Sequence, residues 1–179
     1  MRRVMMAGVA ILAGCAPMSG GPGGGGPGGR GGPMGGTGGV DPSRPQHLNP
    51  GTLSGIEGFT SAVRVGSVVY VSGQVALDDQ GRVVGAGDLL AQARQAFTNL
   101  AHVLQIAGAT PEEVTKVTIY VVNLAPGQTE LIRHAAPEFF PERNPPAGVV
   151  VGIQSLPKDG LLLAVDATAV VRATFRPRR

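Results

Sequence analysis

The sequence predicts an α+β domain, a mixed β-sheet carrying two helices on one of its faces. Three observations lead there. Runs rich in Val, Ile and Thr, each of strand length, recur from residue 62 to residue 171. Two stretches between them repeat apolar residues at helical spacing instead. The order that results is β-β-β-α-β-α-β-β, a run of strands followed by mixed units.

Residues 62–77, AVRVGSVVYVSGQVAL, are β-branched and broken at Gly66-Ser67, so they read as two strands joined by a tight turn. Residues 78–84 supply a second turn and a short third strand. Asp78 and Asp79 precede Gln-Gly and read as a solvated turn rather than a metal loop. Asp88 is placed to cap a helix over 89–107, whose stripe is Leu89, Ala93, Phe97, Leu100 and Leu104. Gly108 follows as the residue that ends it. His102 lies within this helix with no second ligand spaced nearby, which makes it a boundary histidine. A turn at Pro111-Glu112-Glu113 leads into a strand over 114–124. The second helix spans 128–140, with Leu131, Ala135 and Phe139 four apart and Pro137 breaking it. His134 on it is expected to be exposed. Residues 145–156 form a continuous apolar run, the pattern of a strand buried on both faces. A turn at Pro157–Gly160 and a last strand over 161–171 complete the sheet. The face without helices is expected to be apolar and uncovered, which predicts self-association.

Length and composition set the boundaries. The chain has 179 residues, enough for one domain. Of its 29 glycines, 14 fall between Ser19 and Gly39. The folded part therefore spans about 51–175, with a basic tail at 176–179. With no Trp, the core must be built from Val, Leu, Ile and Ala. The formal charge is +3, but Arg2 and Arg3 belong to the leader, and four of the other arginines crowd the C-terminus. No Lys/Arg run interleaved with aromatics is present, so nucleic-acid binding is not indicated.

Residues 1–14 have a charged start, a short apolar run and small residues before Cys15, the design of a secretory signal. The apolar run is far below the ~20 residues of a membrane span. Leu12-Ala13-Gly14-Cys15 resembles a bacterial lipobox, which makes Cys15 a lipidation site and the mature N-terminus. The single cysteine leaves no intrachain disulfide. Residues 15–50 then act as a tether. From Ser19 to Gly39 it is glycine-rich with next to nothing apolar to bury, so it cannot offset its own ordering entropy. A flexible chain of about 35 residues spans about 30–35 Å. The Gly-x-Gly-x-x-Gly matches in it have no strand before and no helix after, so they are not a dinucleotide site. The expected location is the bacterial cell envelope, lipid-anchored and facing the periplasm.

VVYVSGQVALDDQGRVV, AQARQAFTNLAHVLQIAGATPEEVTKVTIYVVNL and SLPKDGLLLAVDATAV occur in that order. Together they resemble the Rid (YjgF-like) reactive-intermediate deaminase family, over residues 58–172. The resemblance implies a chorismate-mutase-like fold and a homotrimer whose sheets form a central barrel. It implies small-molecule clefts between neighbouring subunits, with no cofactor and no metal. Its deaminases hydrolyse 2-imino or 2-enamino acids to 2-keto acids and ammonia. That chemistry needs a positioned water, a proton and a grip on the substrate carboxylate. In the family the grip is an arginine in a Pro-Ala-Arg motif, and a guanidinium fork suits a carboxylate because it donates two parallel charged hydrogen bonds.

Here the matching residues are Pro146-Ala147-Gly148, so Gly148 stands where the arginine is implied. Phe59 stands where a tyrosine is common, without the hydroxyl. Asp166 matches an acidic residue near the water, shorter by one methylene. Ser72-Gly73-Gln74 is intact. Arg143 enters the same strand as Gly148 and is the candidate substitute for the missing arginine; its plainer reading is a solvated loop charge. Arg64 and Arg94 read as surface residues. Two functions follow. One is a ligand-binding trimer impaired or altered in 2-imino acid deamination. The other is an active imine or enamine deaminase on a non-standard substrate, with Asp166 in the catalytic role. A ribonuclease needs a general base beside phosphate-binding cations in one cleft, and neither His102 nor His134 sits in such a cluster.

Overall fold

A computed structural model describes residues 43–51 and 58–172. The leader, Cys15, the tether up to residue 42 and the tail 176–179 lie outside the described residues. The strands are β1 (Gln46–Leu48), β2 (Ala62–Val65), β3 (Val68–Val75), β4 (Val114–Val122), β5 (Ala147–Ile153) and β6 (Leu163–Val170). The helices are α1 (Leu89–Ile106) and α2 (Gln128–Ala135), and 3-10 turns occupy Pro111–Glu113 and Pro137–Phe139. The six strands form one mixed sheet in the order β1-β2-β3-β6-β4-β5. Only β4 and β5 run parallel, and α2 bridges them; every other pair is antiparallel.

Local chemistry sets the ends of α1. The Asp88 carboxylate accepts from the Ala91 amide at 3.0 Å, so the predicted cap is in place. At the other end Ala109 N–H donates to Leu104 O and Gly108 N–H to Gln105 O, the two bonds of a Schellman motif. Gly108 makes this possible with φ of +73°. Arg64, expected at the surface, is half-buried: its Nη1 donates at 2.6 Å to Ala107 O, a carbonyl the helix leaves unpaired. Pro137 ends α2 as expected, and the chain restarts as the turn Pro137–Phe139.

Both helices pack on one face of the sheet. Phe97 of α1 meets Phe139 at 5.1 Å between centroids and Phe140 edge-on at 5.5 Å. Beneath them lie Val69 and Val71 of β3, Leu163 and Val165 of β6, and Val117, Ile119 and Val121 of β4.

Three features differ from the sequence reading. Residues 78–84 make no strand, only the single bridge between Leu77 and Val83. The Asp78 carboxylate accepts the amides of Gln80 and Arg82 at 3.0 and 2.8 Å, which closes the segment into a turn. The missing strand is replaced by β1, in residues the sequence reading gave to the tether, so the string of elements agrees only through two compensating differences. Next, β5 is an edge strand and not one buried on both faces. Val149 and Val151 are 51% and 37% exposed. An apolar run reports burial preference but not how many neighbours a strand has. Finally, the face without helices is mixed. Alternation along the strands sends Lys116, Thr118 and Tyr120 of β4 and Asp166 and Thr168 of β6 to it. Of its exposed apolar residues, Tyr70 of β3 and Val149 and Val151 of β5 sit on either side of that polar stripe, and Val170 ends β6.

Candidate functional site

Ser72-Gly73-Gln74 forms a bulge in β3. The pairing with β6 runs Val71 to Ala167 and resumes at Gln74 to Val165, so Ser72 and Gly73 together oppose Asp166. The structure thus brings two predicted residues, Ser72 and Gly73, opposite a third that lies more than ninety positions away, while Gln74 pairs with Val165 of the core. Ser72 is fixed at its base, with its amide and hydroxyl both donating to Ser61 O at 3.0 and 3.2 Å. The buried Gln74 amide donates to Ser72 O at 3.0 Å. A Cβ added to Gly73 would touch nothing within 4 Å, so the bulge presents bare backbone to open space.

Asp166 is half-buried on the face without helices, and Tyr120 from β4 donates its hydroxyl to Asp166 Oδ2 at 3.1 Å. The hydrogen bond to the carboxylate, then its charge, then burial push the Tyr120 phenol above its ordinary value near 10. Tyr120 is therefore a neutral donor at physiological pH. Its stability contribution is complete below pH 10 and is lost as the pH rises through the raised value. The parent is expected to lose stability above pH 10 and Tyr120→Phe to flatten that fall, a result that denaturant titrations at several pH values would read; an unchanged fall would remove Tyr120 as its source.

Gly148 lies elsewhere. It pairs with Val117, and a Cβ placed on it would come 2.9 Å from Val117 Cγ1 and 3.0 Å from Val117 O. Val117 belongs to the core under the helices, so Gly148 faces the helix side while Asp166 faces away from it. Within one chain the two predicted parts of the site are on opposite faces of the sheet. A cavity of about 230 Å³ opens beside Gly148 between β5 and α2, walled by Val117, Ile119, Phe140 and Pro146, with Arg133 at its rim. Arg143 is exposed and is not part of that wall. Phe59 is 74% exposed, just after Gly58 with its φ of +86°. Among the described residues no three His, Cys, Asp or Glu side chains gather as a metal site.

Sequence reasoning missed Tyr120 and Arg133. Alternation in β4 assigns Tyr120 to the face of Thr118, but no local signal gives the register between β4 and β6. Arg133 comes from the last turn of a short helix, and only the β4-α2-β5 crossover turns it toward Gly148.

The sheet order, with both helices on one face, defines a YjgF-like α+β domain. Residues 51–171 match the family model described as endoribonuclease L-PSP, and the chain belongs to that family. It is 34% identical over 119 residues to a 2-iminobutanoate/2-iminopropanoate deaminase of Dermatophagoides farinae, covering 66% of this chain and 84% of that one. It is also 34% identical over 116 residues to the protein of the same description from Salmonella typhimurium, covering 64% and 88%. Among solved structures, a conserved Rid-family protein of unknown function from Yersinia pestis superposes with a TM-score of 0.63 at 25% identity, covering 72% of this chain and all of that one.

Proposed function

We propose that this is an envelope-tethered Rid-family protein, lipid-anchored through Cys15, whose ligand cleft has lost the family's carboxylate clamp and with it most 2-imino acid deamination. The observation that carries the reading is Gly148, the residue matching the arginine of the Pro-Ala-Arg motif. Removing one partner of a buried charge pair costs about 2–5 kcal/mol. That is about 30- to several-thousand-fold in affinity.

The cleft belongs to a homotrimer in this reading. Two observations support it. Val149, Val151, Tyr70 and Val170 are apolar and exposed on the sheet. Gly148 and Asp166, on opposite faces of one chain, can contribute to a single cleft only if one subunit's β5 edge meets its neighbour's β3–β6 surface. A second reading, an active deaminase on a non-standard substrate, draws support from the intact Ser72–Gln74 bulge facing Asp166 and from the Tyr120 hydroxyl bound to it.

An amino-acid oxidase generating 2-iminobutanoate in the assay mixture tests both. The expected release of 2-oxobutanoate is at least about 30-fold slower per subunit than with the Salmonella typhimurium relative. Equal rates would overturn the impaired reading and leave the active one standing.

A further inference from the structure

We infer that residues 173–179, Ala-Thr-Phe-Arg-Pro-Arg-Arg, fold back onto their own domain and occupy a groove along the outer side of α1, with Phe175 seated in it. The helix presents Thr98, Ala101, His102 and Gln105 there at three- and four-residue spacing, on the side away from its buried Leu100, Val103 and Leu104. The groove has two parts. The larger, about 440 Å³, is closed off by Ala109, Thr110 and Pro111. The smaller, about 290 Å³, is bordered by Leu77, Asp78 and Asp79. Thr98 and His102 line both, so the two are continuous. This docking is separate from the residues of the sheet and holds whether or not the protein deaminates anything.

The point at which the chain leaves the domain selects the occupant. The Glu113 carboxylate accepts the Arg172 amide at 2.8 Å through Oε1 and the Thr110 amide at 3.1 Å through Oε2. Arg172, the last described residue, is thus held by the same carboxylate as a residue of the groove wall. Phe175 comes three residues later, within about 10 Å of chain. Ala101, Ala109 and Pro111 offer its ring apolar wall, and a covered ring of that kind buries about 150–250 Å². Arg176, Arg178 and Arg179 follow. From Gln105 back to Gln95 the helix rises about 15 Å, and the seven residues reach up to about 25 Å when extended, so the arginines come to Asp78 and Asp79 at the far end. Pro177 fixes one φ and lowers the ordering cost of the stretch. Arg82 already meets Asp78 at 2.7 Å, but its side chain is 70% exposed and such a pair is weak, so the tail guanidinium groups join this acidic end at small cost.

The chain contains no tryptophan, so Phe175→Trp in the full chain reports on this one ring. Acrylamide should quench its fluorescence about fivefold less than in a free peptide of residues 173–179 with the same substitution, at every protein concentration. Adding Ala101→Arg, which fills the groove and repels the tail, should return quenching to the peptide value with unchanged circular dichroism. Where that variant does not fold, Arg176→Gln/Arg178→Gln/Arg179→Gln gives a second measurement outside the core and should raise quenching at least twofold. Quenching equal to the peptide's in the folded full chain would overturn the inference, as would shielding that survives Ala101→Arg or ignores the three arginines. Shielding that grows with protein concentration would place the segment on a second copy. Shielding that appears only with phosphatidylglycerol vesicles would place it on lipid. Either result would overturn docking within one chain.

Discussion

Gly148→Arg alone is expected to destabilise the protein before it restores any function. The new Cβ would stand 2.9 Å from Val117 Cγ1 and 3.0 Å from Val117 O. The second contact is backbone, and no rotamer change relieves it. Overpacking of this kind costs about 1–3 kcal/mol, and β5, an edge strand with one neighbour, is the element that can shift in response. Val117→Ala removes the closer of the two contacts. The expected result is a lower midpoint of thermal unfolding for Gly148→Arg than for the parent. In Val117→Ala/Gly148→Arg, part of that loss should return relative to Val117→Ala alone. Release of 2-oxobutanoate from 2-iminobutanoate should then rise about 30-fold or more in the double variant, the lower bound for regaining a buried charge pair. A double variant that is folded and no faster than the parent would show that the arginine's absence is not what limits turnover. A single variant as stable as the parent would show that the β5 edge yields freely there.

Much of the fold was legible because its signals are local. Asp88, the apolar stripe from Leu89 to Leu104 and Gly108 are all contained within one helix, and each does in the structure what its residue type favours. Pro137 likewise ends α2 by its own ring geometry. What was not legible is non-local. The apolar run of β5 has the composition of a strand buried on both faces, and only the sheet order reveals it as an exposed edge. The face without helices was expected to be apolar because its strands are rich in valine. Alternation instead divides those strands, sending valines to the core and Thr118, Asp166 and Thr168 outward. The candidate site shows the same division. Ser72–Gln74 and Asp166 were both named from the sequence, but their opposition across the bulge depends on a β3–β6 register that no short motif encodes. The separation of Gly148 from Asp166 is a matter of strand parity. It follows once β4 is known to pair with both β5 and β6, and not before.

Gln92→Leu should destabilise the protein although leucine fills the same space. Gln92 is fully buried in the first turn of the helix. Its Nε2 donates to Gly85 O at 3.2 Å and to Gly160 O at 2.7 Å, and its Oε1 accepts the Leu162 amide at 2.8 Å. One side chain thus satisfies three backbone groups from two loops. One loop leads into α1 and the other into β6, the strand that carries Asp166. Leucine has similar bulk but takes the partner from the Gly160 carbonyl and the Leu162 amide, while Gly85 O keeps the Asp88 amide at 2.9 Å; each lost partner costs about 1–3 kcal/mol. A loss of about 2–6 kcal/mol is therefore expected in urea unfolding. That is comparable with the whole stability of many domains, about 5–15 kcal/mol. Gln92→Glu gives a second measurement where the leucine variant does not fold. Its carboxyl can donate only when protonated, and burial favours that neutral form. The folded state then binds its proton more tightly than the unfolded state, so stability should be greater at pH 5 than at pH 8. A leucine variant within 1 kcal/mol of the parent, or a glutamate variant indifferent to pH, would mean that the two loops hold their positions without Gln92.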